Sequence, residues 1–302
     1  MLMNLCDVRF VKKLMAKYGT GTKKGFGQNF LINPSVPEGI AEESYSYHKS
    51  KCDNKKCGVL EIGPGIGSLT NELCGCYDTV LAIEIDKTLI PILDETLSEH
   101  NNVTVINDDF LKLDLNELIS KYFDGSSISV CANLPYYITT PIIMKLLESA
   151  RDENGKSKLC SITVMVQKEV ASRLCANETD KDYGAITASI NYYGRVTHLF
   201  DVGPENFLPA PKVTSSVIRI ELYDEPIYKT KSEKMLFKVI EGAFAQRRKT
   251  MVNSLSSVIT NIPKSRIGEI IEKLGFDINI RGERLSIKDF CALADEFYGE
   301  IN

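Results

Sequence analysis

Val59-Leu60-Glu61-Ile62-Gly63-Pro64-Gly65-Ile66-Gly67 is a short apolar run that breaks into a glycine-rich turn. The run reads as a buried strand over 58–62. Glycines directly after a first strand let the backbone approach a ligand closely. Their spacing here is G-x-G-x-G, not the dinucleotide pattern G-x-G-x-x-G. Pro64 also removes a backbone N–H from the turn, which suits a pyrophosphate cradle badly.

Outward from this turn the pattern alternates. Further strands are expected over 80–83, 103–106, 128–132 and 161–166, and helices over 68–74, 87–98, 115–122 and 141–149. Strands separated by crossover helices imply an α/β fold with a parallel, doubly wound sheet. Two more strands, over 196–202 and 213–222, flank a proline-rich loop and are expected as an antiparallel pair at the sheet edge. The pattern stops near Asp224-Glu225-Pro226, which reads as a linker. Helical spacing follows over 232–245, 250–259, 265–274 and 287–297. Three parts are therefore expected: a basic N-terminal segment over 1–57, the sheet domain over 58–223, and a small all-helical domain over 224–302.

The chain has 302 residues, 43% hydrophobic and 25% charged, an ordinary globular balance. No apolar run approaches the ~18 residues that span a bilayer. The first residues, interrupted by Asp7, Arg9, Lys12 and Lys13, do not read as a secretory signal. A cytoplasmic protein is expected. The net charge of −4 excludes a basic envelope for nucleic acid. Basic residues instead cluster in 1–28 and at Arg247-Arg248-Lys249. Nine cysteines fit a reducing compartment. Cys52/Cys57 and Cys74/Cys76 are spaced C-x4-C and C-x-C, unlike paired zinc ligands, so scattered thiols and no metal site are expected. His48, His100 and His198 fall in unrelated contexts.

The strand ends carry chemistry. Glu84 follows the glycines by about twenty residues, where an acidic side chain binds ribose hydroxyls. Asp109-Phe110 follows the third strand and can meet an adenine amine and ring. For any one of these acids a helix cap is an equal reading. The fourth strand delivers Asn133-Leu134-Pro135-Tyr136. An amide oxygen and a backbone carbonyl beside a proline can accept the N–H groups of an exocyclic amine. That favours a pyramidal nitrogen with its lone pair free to attack. Tyr136 can stack on the base, while Asn-x-Pro is also common turn chemistry. An NAD enzyme would not use this tetrapeptide. A nucleoside sulfonium, S-adenosylmethionine, uses both halves of the pattern. Positioning then supplies most of the catalysis, with no strong base needed.

These motifs resemble the KsgA/RsmA family of rRNA adenine-N6,N6-dimethyltransferases. The likeness extends through Phe26-Gly27-Gln28-Asn29-Phe30-Leu31, Val166-Gln167-Lys168-Glu169-Val170, Phe207-Leu208-Pro209-Ala210-Pro211-Lys212-Val213 and Phe244-Ala245-Gln246-Arg247-Arg248-Lys249. It implies a Rossmann-like class I S-adenosylmethionine-dependent methyltransferase sheet with a small C-terminal helical domain. Gln28, Asn29 and Leu31 would close over the cofactor. Gly63 would line its methionine part, Glu84 the ribose and Asp109, with Phe110 against the ring, the adenine; Glu61, Gly65, Gly67 and Ile85 are further cofactor-binding candidates. Asn133 would serve both cofactor and substrate. Asn133, Leu134, Pro135 and Tyr136 would hold the target adenine, with Phe207 stacked on its other face.

The resemblance also implies a substrate, two adjacent adenosines near the 3′ end of 16S rRNA in a pre-assembled 30S subunit. It implies an enzyme that acts as a monomer in ribosome maturation. Lys23, Lys24, Lys212, Arg247, Arg248 and Lys249 are the candidate phosphate contacts. The Erm-type enzymes, which modify 23S rRNA and confer antibiotic resistance, share the catalytic half. A binding-only assembly factor and a small-molecule methyltransferase are the other readings. An extra basic helix over 8–18 and a Lys- and Cys-rich loop over 46–57 have no role in the family pattern.

Overall fold

A computed structural model describes residues 4–21, 23, 25, 27–52, 56–123, 125–152, 154–178 and 180–301. In chain order the elements begin α1 (Val8–Lys17), β1 (Phe30–Leu31), α2 (Ser35–Lys51), β2 (Cys57–Ile62), α3 (Ser68–Cys76), β3 (Thr79–Glu84) and α4 (Ile90–Thr96). Then come β4 (Val103–Asn107), α5 (Leu115–Tyr122), β5 (Ser127–Asn133), α6 (Thr139–Ser149), β6 (Leu159–Gln167) and α7 (Lys168–Leu174). The rest are α8 (Ala185–Tyr193), β7 (Gly194–Val202), β8 (Phe207–Leu208), β9 (Ser215–Leu222), α9 (Glu233–Ala245), α10 (Met251–Leu255), α11 (Lys264–Lys273) and α12 (Ile287–Ile301).

Seven strands form one sheet in the order β4-β3-β2-β5-β6-β9-β7. The strands from β2 to β6 run parallel. Their apolar runs are continuous because helices cover both faces: Val59, Leu60, Val80, Leu81, Val130, Ala132, Ile162 and Val164 are all fully buried. β9 is antiparallel to β6. Thr197 meets Glu221 and Asp201 meets Ser216, so β7 and β9 also run in opposite directions. The expected edge pair is present.

The strand order reverses between β2 and β5, which lie side by side with Glu61 opposite Cys131. From β2 the chain winds outward through β3 and β4, then returns to β5 and β6. A crevice opens at the carboxyl ends of the strands at such a switch point. The glycine turn after β2 and Asn133 at the end of β5 therefore face the same crevice.

Three helices escape the sequence expectation: α2, α7 and α8. Residues 46–51, expected in a loop, are the last turns of α2. Two of its buried positions are polar, Ser44 and His48, so its inward stripe does not read as apolar. Residues 185–193 form α8, mostly buried and therefore lacking one polar face. A small antiparallel ribbon, β1 with β8, pairs Phe30 with Leu208 and Leu31 with Phe207. α1, the extra N-terminal helix, is capped by Asp7 and buries Val11, Leu14 and Met15 against Phe30, Ile66, Leu89 and Ile92.

By contacts the chain divides into two compact units, Met1–Ala171 with Thr197–Leu222, and Ser172–Val196 with Tyr223–Asn302. The second unit thus takes in 172–196, which the sequence pattern assigns to the sheet domain. Within it the Tyr193 and Phe237 rings stack at 5.6 Å, and the Tyr192 hydroxyl donates to Glu233. Tyr183 is fully buried and donates to the Leu285 carbonyl. No helix among the described residues is long and apolar enough to cross a membrane.

Candidate active site

One cleft at the carboxyl ends of the strands is lined by residues 27–31, the glycine turn, the end of β3, residues 108–111 and residues 133–138. Gly63 and Gly65 both take positive φ, +73° and +63°. The Gly63 amide donates to the Ile83 carbonyl, and a Cβ on Gly63 would meet nothing within 4 Å. That open space faces the cleft. Gly65 is closed on its other side by the Phe30 ring, 3.2 Å from where its Cβ would stand.

Two buried carboxylates face this turn. Glu84 accepts from the Gly65 amide at 3.1 Å and from the Asp86 amide at 2.8 Å, one bond on each oxygen. Burial raises its pKa, and those backbone donors hold the rise back. Glu61 is 1% exposed, and its Oε2 has no hydrogen-bond partner among the described residues. Burial pushes its carboxyl up to about 8. A buried carboxyl with one unpartnered oxygen on the wall of a cleft can accept a cationic or donor group from a ligand.

Asp109 and Phe110 sit where expected, on the cleft wall. Asp109 also caps the turn after β4 through Leu111 N and lies 3.6 Å from the Lys112 ammonium. The capping and ligand readings therefore hold together. Ile85 is 49% exposed, an apolar side chain left uncovered at the cleft. These residues fit S-adenosylmethionine: a buried carboxyl with one free oxygen for its amino group, a buried acid for its ribose, and an uncovered apolar wall for its adenine.

Asn133 ends β5, and its Nδ2 donates to the Asn29 carbonyl at 3.3 Å. That bond assigns the amide orientation and leaves Oδ1 to accept from a ligand. The Leu134 amide donates to Met165 O, and its side chain is 1% exposed. The Pro135 carbonyl accepts from Ile138 N and Thr139 Oγ1, which removes it as an acceptor for a substrate amine. Tyr136 shares a 2.7 Å hydrogen bond with Ser215 at the start of β9, which fixes its ring at the cleft.

Several expected roles change. Phe207 is 3% exposed and packs in the core with Leu31, Val36 and Val217, so its ring has no face in the cleft. Its pairing with Leu31 draws it inward. Gly67 is also off the cleft wall. Its φ of +92° starts α3, and a Cβ there would stand 3.1 Å from Thr96. Gln28 reaches the cleft, but its amide is engaged, donating to Asp86 and accepting from Lys23 N. Leu31 lies on the wall but is 3% exposed.

Lys23, expected at phosphate, places its ammonium 2.7 Å from Asp86. Lys24 and Phe26 lie outside the described residues. Arg247, Arg248 and Lys249 are exposed but follow α9 on a turn, not a helix. Arg247 donates to the Lys181 carbonyl and lies 4.0 Å from Glu283. Lys212 is exposed on the loop before β9.

The structure adds two residues that the sequence pattern leaves without a role. Asp86 is 3% exposed and gathers Lys23, Gln28 and Thr88, tying the 23–28 segment to the end of β3. Burial opposes its ionisation, but those three partners outweigh it and hold the carboxyl down to about 2. Its signal was its place two residues after Glu84. Tyr137 lines the cleft at 59% exposure, its ring against Gly27.

Residues 19–298 match the family described as ribosomal RNA adenine dimethylase. The chain belongs to that family. It is an enzyme that uses S-adenosylmethionine to methylate adenine in rRNA. A curated relative from Alkaliphilus oremlandii, named ribosomal RNA small subunit methyltransferase A, is 44% identical over 94% of each chain. One of the same name from Lachnoclostridium phytofermentans is 45% identical over 96% of this chain and 97% of its own. The fold is shared with a dimethyladenosine transferase from Plasmodium falciparum (TM-score 0.70, 24% identical, 89% of this chain and 98% of that one). It is likewise shared with the 23S rRNA methyltransferase ErmE (TM-score 0.63, 24% identical, 89% and 100%).

Proposed function

We propose that the dimethylase transfers methyl groups to the N6 amines of two adjacent adenosines near the 3′ end of 16S rRNA. Its substrate is the rRNA within a pre-assembled 30S subunit, and it works there as a cytoplasmic monomer. The relatives named small subunit methyltransferase A support this target over the 23S reading. The observation that carries the chemistry is the Asn133 amide, held with Nδ2 on Asn29 and Oδ1 available.

S-adenosylmethionine, when bound, supplies an electrophilic methyl group on sulfonium. Asn133 Oδ1 accepts one N–H of the adenine amine, and the Leu134 carbonyl accepts the other. The amine nitrogen thereby becomes pyramidal, and its lone pair is no longer delocalised into the ring. Tyr136, anchored through Ser215, packs on the base. Glu61 would hold the cofactor's ammonium, and Glu84 its ribose hydroxyls.

Labelled methyl transfer to undermethylated 30S subunits, with naked 23S rRNA in parallel, tests the reading. Dimethyladenosine in 16S rRNA alone is expected. Label in 23S rRNA would favour the resistance-type enzyme, and label in neither would favour a binding role.

A further inference from the structure

Away from the cleft, α2 ends in a group the enzyme's chemistry does not use. His48, Cys52 and Cys160 bring one imidazole nitrogen and two thiol sulfurs within 4.8 Å of one another. Among the described residues this is the one place where three such groups meet. The Cys52/Cys57 and Cys74/Cys76 spacings do not anticipate it, because Cys160 arrives from β6, far along the chain.

Local structure explains the convergence. His48 and Cys52 are four residues apart and share one face of α2. Cys52 caps that helix, its amide donating to the His48 carbonyl. The helix packs over β5 and β6, which places Cys160 beneath its last turn. His48 and Cys160 are 0% and 5% exposed, while Cys52 is partly exposed and gives an entry path.

The imidazole is prepared on both sides. Nδ1 bonds the Ser129 hydroxyl at 2.7 Å, and Ser129 in turn bonds Ser161 at 3.2 Å. Nε2 bonds the Ser127 hydroxyl at 2.7 Å, and Ser127 also reaches the Cys160 thiol. Nε2 is thus the nitrogen on the thiol side, and Nδ1 is held by a serine chain. Ligating histidines are typically oriented in this way, by a hydrogen bond at the other ring nitrogen.

We propose that His48 Nε2, Cys52 Sγ and Cys160 Sγ bind one thiophilic divalent cation of the zinc type. Two thiolates and one imidazole form an open zinc donor set, with bonds of about 2.3 Å to sulfur and about 2.0 Å to nitrogen. A tetrahedral ion would draw the three atoms, now within 4.8 Å of one another, in to about 3.5–3.8 Å and take Nε2 from its bond to Ser127. Binding forms two metal–sulfur bonds and one metal–nitrogen bond, and both thiol protons pass to solvent. The two thiolates neutralise the ion's charge, which lowers the cost of holding it in a buried place. The Ser127 hydroxyl or a water completes the fourth position. The ion ties the end of α2 to β6 and lies outside the catalytic cleft.

Cobalt(II) titration of the full chain, kept reduced with a phosphine, tests this directly. One equivalent should produce a thiolate-to-cobalt charge-transfer band and the visible bands of a tetrahedral site, and zinc should abolish both. Elemental analysis should find one zinc per chain, and the melting temperature should rise on zinc addition. Cys52→Ser, at a partly exposed helix end, should fold normally and lose cobalt affinity by at least about tenfold. Cys160→Ser should do the same, and circular dichroism checks the fold of each. Absent charge-transfer bands, or unchanged affinity in Cys52→Ser, would overturn the site. So would air oxidation that consumes both thiols while no metal is taken up, because the pair would then be a redox clip.

Discussion

The Asn133 side chain donates to the Asn29 carbonyl across 3.3 Å, so the segment leading into β1 fixes the orientation of the amide at the end of β5. Asn133→Ala removes the acceptor for the substrate amine and leaves the cofactor's other contacts in place. Methyl transfer should fall by about 10²–10³-fold or more, with S-adenosylmethionine affinity changed only a few-fold. Single-turnover kinetics beside calorimetric binding separates the two. Near wild-type transfer would remove the orienting role.

Glu61 gives a pH prediction with a definite sign. In the ligand-free enzyme burial pushes its carboxyl up to about 8, above its unfolded value of about 4.3. Folding therefore favours the protonated form. This contribution is fully present below the unfolded pKa and is lost as pH rises through about 8. A cofactor ammonium favours the carboxylate, so affinity should strengthen as pH rises toward 8. Glu61→Gln should flatten that profile, weaken binding, and make the free enzyme more heat-stable at alkaline pH. A profile of the same shape in the variant would show that some other group titrates.

Asp86 behaves in the opposite way. Its folded pKa of about 2 lies below the unfolded value of about 3.9. The stability it contributes is present above about pH 4 and is lost as pH falls through about 2. Lys23→Ala should loosen the hold of Asp86 on Lys23 and Gln28 and raise the Michaelis constant for S-adenosylmethionine. The salt dependence of RNA binding should stay the same, because the ammonium faces Asp86. A smaller salt slope would return Lys23 to the phosphate contacts.

The switch point and its acids were legible because each rests on local pattern: an apolar run, a glycine turn, an acidic residue at a strand end. The place of Asn133 at the end of β5 was legible for the same reason. Phe207 was not, since its burial depends on pairing with Leu31, 176 positions earlier in the chain. Asp86 received no role from the sequence because two of its three partners, Lys23 and Gln28, lie about sixty residues upstream. α2 was invisible because its inward face carries Ser44 and His48, whose hydroxyl and ring are satisfied by Tyr77, Ser127 and Ser129. Hydrogen bonds across long sequence separations leave no periodic trace.

Phe207 can be tested by a pair of substitutions. Phe207→Ala should cost about 3–5 kcal/mol of stability, as for other buried phenylalanines. It should also disturb Phe30 and Leu31 through the β1–β8 ribbon. Phe207→Leu keeps most of the apolar volume and should retain activity within a few-fold. Thermal melts and turnover on 30S subunits check both. A leucine variant that folds well but loses turnover would mean the ring leaves the core to stack on the substrate.

The turn after α9 carries the last prediction. Arg248 and Lys249 are exposed, whereas Arg247 is engaged by the Lys181 carbonyl with Glu283 nearby. Each phosphate contact contributes about one unit to the slope of log affinity against log salt. Arg248→Ala and Lys249→Ala should each lower that slope by about one and weaken binding uniformly across RNA sequences. Arg247→Ala should lower it less and should also reduce thermal stability, because its donors hold this part of the helical unit together. The chain's net charge of −4 gives no diffuse attraction to mask the effect. An unchanged slope in all three variants would take this turn out of the RNA footprint.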